Sequence, residues 1–255
     1  STLGQIAAAQ SAKIFLEHLG SPDHEIRSTS ARWAAAMGLL AKKDLLPYLD
    51  DPQEAVRLAV VKGLGLQLDS EILDSLAGRI EDPSFSVRAH IAAALANKKL
   101  AGDERPVKIL KTLLGDRHCE VQAQSLVSLW RLGVENTAQQ AQEILGPLSS
   151  QVKEEFSERL EQQVFIIEIS GLLGSGHYPA KRRQAIKFLS ALGARRYKTT
   201  LLKALDDPDA QVRVEAIGAL ATLKDKEIQE AIAALAQDPC ESVRTAVGWT
   251  KLQLP

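Results

Sequence analysis

Apolar residues fall along this chain in short helical stripes that restart at a nearly constant interval. Val56/Val60/Leu64, Val87/Ile91/Leu95, Val121/Ser125/Leu129 and Val212/Ala216/Leu220 are each spaced four apart, which lines one face of an α-helix. Every stripe begins one residue before a polar column formed by Arg27, Arg57, Arg88, Gln122, Lys153, Arg182, Arg213 and Arg244, at intervals of 30, 31, 34, 31, 29, 31 and 31 residues. The same offsets give two weaker copies, Val152/Phe156/Leu160 and Lys181/Ala185/Leu189. Between the stripes, Leu and Ile recur at helical spacing over 6–19, 39–49, 72–80, 107–114, 138–148, 197–205 and 228–235. No stretch of useful length alternates with the period of a strand. The pattern predicts an all-α solenoid of about eight stacked helix pairs, a single array over residues 1–255 that is irregular around 150–180.

In the clearest copies, DDPQEAVR, EDPSFSVR, DDPDAQVR and QDPCESVR, an aspartate stands six residues before the column arginine and directly before a proline. These are Asp51, Asp82, Asp207 and Asp238, leading to Arg57, Arg88, Arg213 and Arg244. Ser21-Pro22 does the same before Arg27. The sequence predicts helix starts here, with aspartate capping the first turn, proline at the first helical position, and Glu54 and Glu241 closing capping boxes. A residue present in nearly every unit is expected to be a stacking device. Each arginine should therefore bond the lead-in aspartate or a loop carbonyl of an adjacent repeat.

The D-P-x-x-x-V-R lead-in, followed by an Ala/Leu-rich helix ending near Gly38, Gly65, Gly133 or Gly193, resembles the HEAT-repeat family, in particular the short HEAT-like units of phycobilin lyase subunits. The resemblance covers essentially the whole chain and implies a solenoid whose second helices line a concave groove. It implies a non-catalytic protein-binding or scaffolding module. The alternative it allows is a subunit of a phycobilin-lyase-like enzyme that handles an open-chain tetrapyrrole and its acceptor protein.

Composition narrows this further. Aromatics are only 4% of the chain, which suits thin, closely packed helix pairs. No apolar run approaches the ~20 residues that span a bilayer, and STLGQIAAAQ lacks the basic start and apolar core of a secretion signal, so no membrane role and a cytoplasmic location are expected. Cys119 and Cys240 lie about four repeats apart, too far for the ~6 Å Cα separation of a disulfide.

Residues 181–203 hold Lys181, Arg182, Arg183, Lys187, Arg195, Arg196, Lys198 and Lys203 with no acid, a charge of +8 in a chain whose total is −1. Lys181, Arg182 and Arg183 would occupy the first turn of a helix after Pro179, where the helix dipole disfavours cations, so something must offset them. The preceding GLLGSGHYP, with Gly171, Gly174, Gly176, His177 and Tyr178, offers backbone N–H groups that together with these cations could hold an anion or an acidic peptide. A third reading, a regulator that captures a phosphorylated or acidic peptide, rests on this segment. Positive charge confined to one repeat and a pI near 6.5 argue against a long nucleic-acid footprint. Trp33, Trp130 and Trp249 sit in separate repeats. His18, His24, His90, His118 and His177 are dispersed, and His24-Glu25 is the only His-Glu pair, so no metal, cofactor or catalytic constellation is expected. In the last helix Val243, Val247, Trp249, Leu252 and Leu254 are spread too widely for one buried stripe, which predicts that this end is covered by self-association, a partner or further chain.

Overall fold

The structure is a computed structural model that describes residues 2–97, 102–134, 137–145, 157–158, 165–173, 178–223 and 225–252. It is all-α, with no strand among the described residues. The chain divides into two compact units, Ser1–Val134 and Glu135–Pro255. In the first unit α1 (Thr2–Leu19), α3 (Lys42–Leu45), α5 (Ser70–Ala77) and α7 (Arg105–Leu113) alternate with the column helices α2 (His24–Ala36), α4 (Glu54–Leu66), α6 (Phe85–Ala94) and α8 (Cys119–Arg131). The column helices pack in order, α2 on α4, α4 on α6 and α6 on α8. The second unit contains α9 (Thr137–Leu145), α10 (Phe165–Leu172), α11 (Pro179–Gly193), α12 (Lys198–Lys203), α13 (Ala210–Ala221), α14 (Lys226–Ala234) and α15 (Glu241–Leu252). There α11 packs on α13 and α13 on α15. The expected irregularity around 150–180 falls largely outside the described residues, as do Val152, Lys153, Phe156, Leu160, Gly174, Gly176 and His177.

Helices of this length are marginal alone in water, so they depend on the apolar stripes that stack them. Val56, Val60, Leu64, Ile91, Leu95, Val121, Leu129, Val212, Ala216 and Leu220 are all fully buried, as the spacing predicts. Close packing is most pronounced at Gly65, where a methyl group would stand 2.9 Å from Ala94 Cβ on the next column helix. At Gly133 the need is conformational instead. Its φ of 74° lets the Val134 N–H reach back to the Leu129 carbonyl and close the end of α8.

Between the stripes runs a ladder of ion pairs. Arg57 Nε and Nη2 donate to Asp82 at 2.7 and 2.9 Å, while its Nη1 donates to the Asp51 carbonyl, 2.8 Å away in its own lead-in turn. Arg27 does the same to Asp51, Arg88 to Asp116 and Arg213 to Asp238, and Arg182 makes the paired bonds to Asp207. Each such aspartate is held from every polar atom. Asp82, for instance, gives its N–H to the Arg79 carbonyl, its carbonyl to Arg88, and its carboxylate to Arg57 and to the Ser84 N–H. Arg57, Arg88, Arg182, Arg213 and their partners Asp82, Asp207 and Asp238 are only 5 to 9% exposed. The arginines thus bond both an adjacent aspartate and a lead-in carbonyl, with the two roles divided between repeats.

Two details correct the sequence reading. The aspartates are not the helix caps, since α4 is capped by Gln53, α6 by Ser84 and α13 by Asp209, each two residues later. Accordingly Pro52, Pro83 and Pro208 lie before the helices, and Glu54 is the first residue of α4 and closes no capping box. The physical reason is that the carboxylates are engaged by the previous arginine. The N–H they satisfy is that of the cap residue, in an Asx turn, rather than one in the first helical turn. Asp116, which lacks a following proline, fills the same role beside Gln122, whose Nε2 keeps the bond to the Asp116 carbonyl.

Removing one member of a buried ion pair strands the other charge. Asp82→Asn should therefore destabilise the protein by roughly 3 kcal/mol, and an Arg57→Met, Asp82→Leu double variant by clearly less than the sum of the single changes, in urea unfolding monitored by circular dichroism. Additive losses would remove the ladder from the account.

The ladder also sets an acid limit. Burial pushes the Asp51 and Asp116 carboxyls up, but Arg27 and Arg88, with the N–H groups of Gln53 and His118, more than reverse this and hold both below the ordinary range. The guanidinium of Arg213 lowers Asp238. A carboxyl depressed in the folded state contributes stability that is complete above its unfolded value, about 3.9, and is lost as pH falls through the lower folded value. The stability gap between the wild type and Asp51→Asn should therefore be constant from about pH 5 to 7 and shrink below about pH 4.

Candidate functional site

The structure separates the basic segment into buried and surface parts. Arg182 is a ladder member, and Asp207 is what offsets its position near the start of α11. It is 6% exposed and leaves the surface altogether. Lys198 pairs with Asp225 and Glu227 at 2.8 and 2.6 Å, and Lys187 faces Glu215 at 3.6 Å. Lys181, Arg195, Arg196 and Lys203 are exposed, whereas Arg183 is half-buried. The run of like charge in the sequence is thus spread over α11, α12 and the turn between them, and among the described residues Arg182, Lys187 and Lys198 face acids.

A different surface emerges between α2 and α4. Ser28, Thr29 and Arg32 form one wall of a groove of about 220 Å³. Ala55, Leu58, Ala59 and Lys62 of α4 line the other side. Arg32 and Lys62 occupy the same register, five residues after Arg27 and Arg57, so the stacking that pairs α2 with α4 brings both cations to one groove. Both are exposed. The Arg32 guanidinium carbon lies 5.9 Å from the ring centre of Trp33, which is 50% exposed, a separation at which cation and ring attract. Met37 and Leu66, at the ends of the same two helices, are also exposed.

The field of Lys62 reaches the next helix. His90 on α6 has its ring Nδ1 2.8 Å from the Ser86 carbonyl, and its affinity for a proton is lowered by burial first and by Lys62, against an opposing pull from Glu120. No single residue of the sequence pointed to this groove, because single cations are common on helices. The cue lay in carrying the column offset outward to the fifth residue.

At the other end of the chain, Ala221, Leu223, Ile228, Ile232, Val247 and Thr250 line an apolar pocket of about 190 Å³. Val243 and Val247 are buried and Trp249 is 63% exposed, so these apolar residues do not share one buried stripe. The Leu252 side chain and Leu254 lie outside the described residues. Among the described residues no His, Cys, Asp and Glu group could hold a metal ion, no helix is long and apolar enough to cross a membrane, and both cysteines are free.

HEAT repeats match residues 42–130 and 198–250, together more than half of the chain. No curated protein sequence matches. Solved structures similar to this chain include human deoxyhypusine hydroxylase in complex with glycerol, at 19% identity over 98% of each chain with a TM-score of 0.43. The complex of CpcE and CpcF of phycocyanin lyase from Nostoc is similar at 17% identity over 82% of this chain and 74% of that one, with a TM-score of 0.39. A designed armadillo repeat protein in complex with the peptide (KR)4 is similar at 16% identity over 93% and 97%, with a TM-score of 0.33. The stacked helix pairs, the repeating lead-in turn and the sequence match agree, and the chain belongs to the HEAT-repeat family.

Proposed function

We propose that this protein is a non-catalytic binding or scaffolding module that receives an extended segment of another protein across its column helices. The observation that carries the reading is a division of labour. The arginines and aspartates of the ladder are consumed in holding the repeats together, whereas Arg32, Trp33, Lys62 and Leu66 stand outside it and remain exposed on two neighbouring column helices. An aromatic, an aliphatic and two cations side by side combine the anchor and steering elements that peptide recognition uses. Lys181, Arg195 and Arg196 of the basic segment are a second candidate contact for an acidic partner.

Selection of a displayed random peptide library on the intact chain tests this. The expected result is a family of peptides that compete with one another and lose affinity about tenfold or more in Arg32→Gln/Lys62→Gln or in Lys181→Gln/Arg195→Gln, with unchanged circular dichroism. The alternative, tetrapyrrole handling, has its own signature. Incubation with phycocyanobilin and apo-phycocyanin should yield no covalent colour on the acceptor. A bilin adduct formed only when this protein is present would replace the binding-module reading with the lyase reading.

A further inference from the structure

The α2/α4 groove carries more than a general binding role. At the fifth position after the column residue, α6 has Ala93, α8 has Val127, α13 has Gly218 and α15 has Trp249. In α11 this position is Lys187, and Glu215 of the adjacent column helix faces it. Only α2 and α4, among the described column helices, place cations there in succession, and no carboxylate lines the groove between them. Arg32 lies near the Trp33 ring and Lys62 makes no ion pair among the described residues, so two positive charges line the same opening with no carboxylate in its lining.

The rest of the lining restricts which anion fits. Ala55, Leu58 and Ala59 make part of the lining apolar, so a carboxylate on a hydrocarbon stem can bury its methylenes while its oxygens meet the cations. A volume of about 220 Å³ is several times that of one water, about 30 Å³, and accommodates a side chain with flanking backbone. Arg32, 5.9 Å from the Trp33 ring centre, carries a planar guanidinium that can form a bidentate bond to a carboxylate. The Thr29 hydroxyl, which also lines the groove, supplies a donor for a backbone carbonyl, whereas the Ser28 hydroxyl already donates to the Glu25 carbonyl.

Resting on the binding-module reading, we infer that this groove captures an acidic side chain of a partner peptide, with Arg32 and Lys62 clamping its carboxylate and Trp33 covering an adjacent apolar residue. The clamp is electrostatic and partly exposed. It should respond to salt and tolerate loss of either cation only in part.

The test is a parallel selection of the displayed random library on the wild type and on Arg32→Gln/Lys62→Gln, followed by fluorescence anisotropy with the enriched peptides and their Glu→Gln and Asp→Asn counterparts. The expected result is wild-type enrichment of peptides pairing an acid with a nearby apolar residue. These should weaken about tenfold or more in the double variant and by a similar factor when amidated. Raising ionic strength from about 0.1 M to about 1 M, which cuts screening from about 10 to about 3 Å, should weaken the wild-type complex and leave the residual double-variant binding nearly unchanged. Leu58→Lys should impair binding although it adds positive charge, which separates a shaped groove from a simple basic patch.

Peptides that bind both proteins equally would overturn the groove assignment while leaving the binding-module reading intact. Failure to enrich any peptide on either protein would overturn both. Displacement of bound peptide by inorganic phosphate at equal concentration would show a generic anion site and overturn the peptide assignment.

Discussion

The interaction on which the rest of this fold depends is the guanidinium that reaches in two directions. In Arg27, Arg57, Arg88 and Arg213 one edge closes the lead-in turn of its own repeat by bonding a carbonyl, and the other holds the aspartate that begins the next. Local folding and repeat-to-repeat stacking are therefore settled by the same side chain. Apolar stripes supply the driving force but are nondirectional, and Ala-rich surfaces can slide over one another. The paired bonds fix the register because a bidentate contact tolerates little displacement.

That constraint explains where variation is tolerated. Gln122 keeps the bond inside its own turn and gives up the cation, in the last column helix of the first unit. Exposed positions of the column helices are free of the ladder, and there the chain differs from repeat to repeat. Function in a repeat protein of this kind is expressed in what is not repeated. Arg32 and Lys62 illustrate this, occupying a position that is Ala, Val, Gly or Trp in four other described repeats and, in α11, a lysine that faces Glu215.

Much of the architecture was legible because periodicity reports burial directly. Val56, Val60 and Leu64 could be assigned to the core from spacing alone. The aspartates were harder. An Asp-Pro pair has the composition of a helix start, yet the carboxylate of Asp82 is taken by an arginine 25 residues earlier, and that competition is nonlocal. The basic segment posed the same problem, since linear charge density does not say that Arg182 turns inward to Asp207 or that Lys198 meets Asp225 and Glu227. The α2/α4 groove required knowing which offset from the column faces outward between neighbouring helices. A single helix's sequence does not contain that.

Hydrogen exchange of an Arg57→Lys variant tests the central claim most directly. Lysine retains the charge but cannot bond a carboxylate and a carbonyl with one planar group. If the guanidinium joins consecutive repeats, exchange should accelerate together in the turn from Asp51 to Val56 and in the turn from Asp82 to Val87, while the interior of α8 stays protected. Acceleration confined to the first turn, or spread evenly through the chain, would contradict the account.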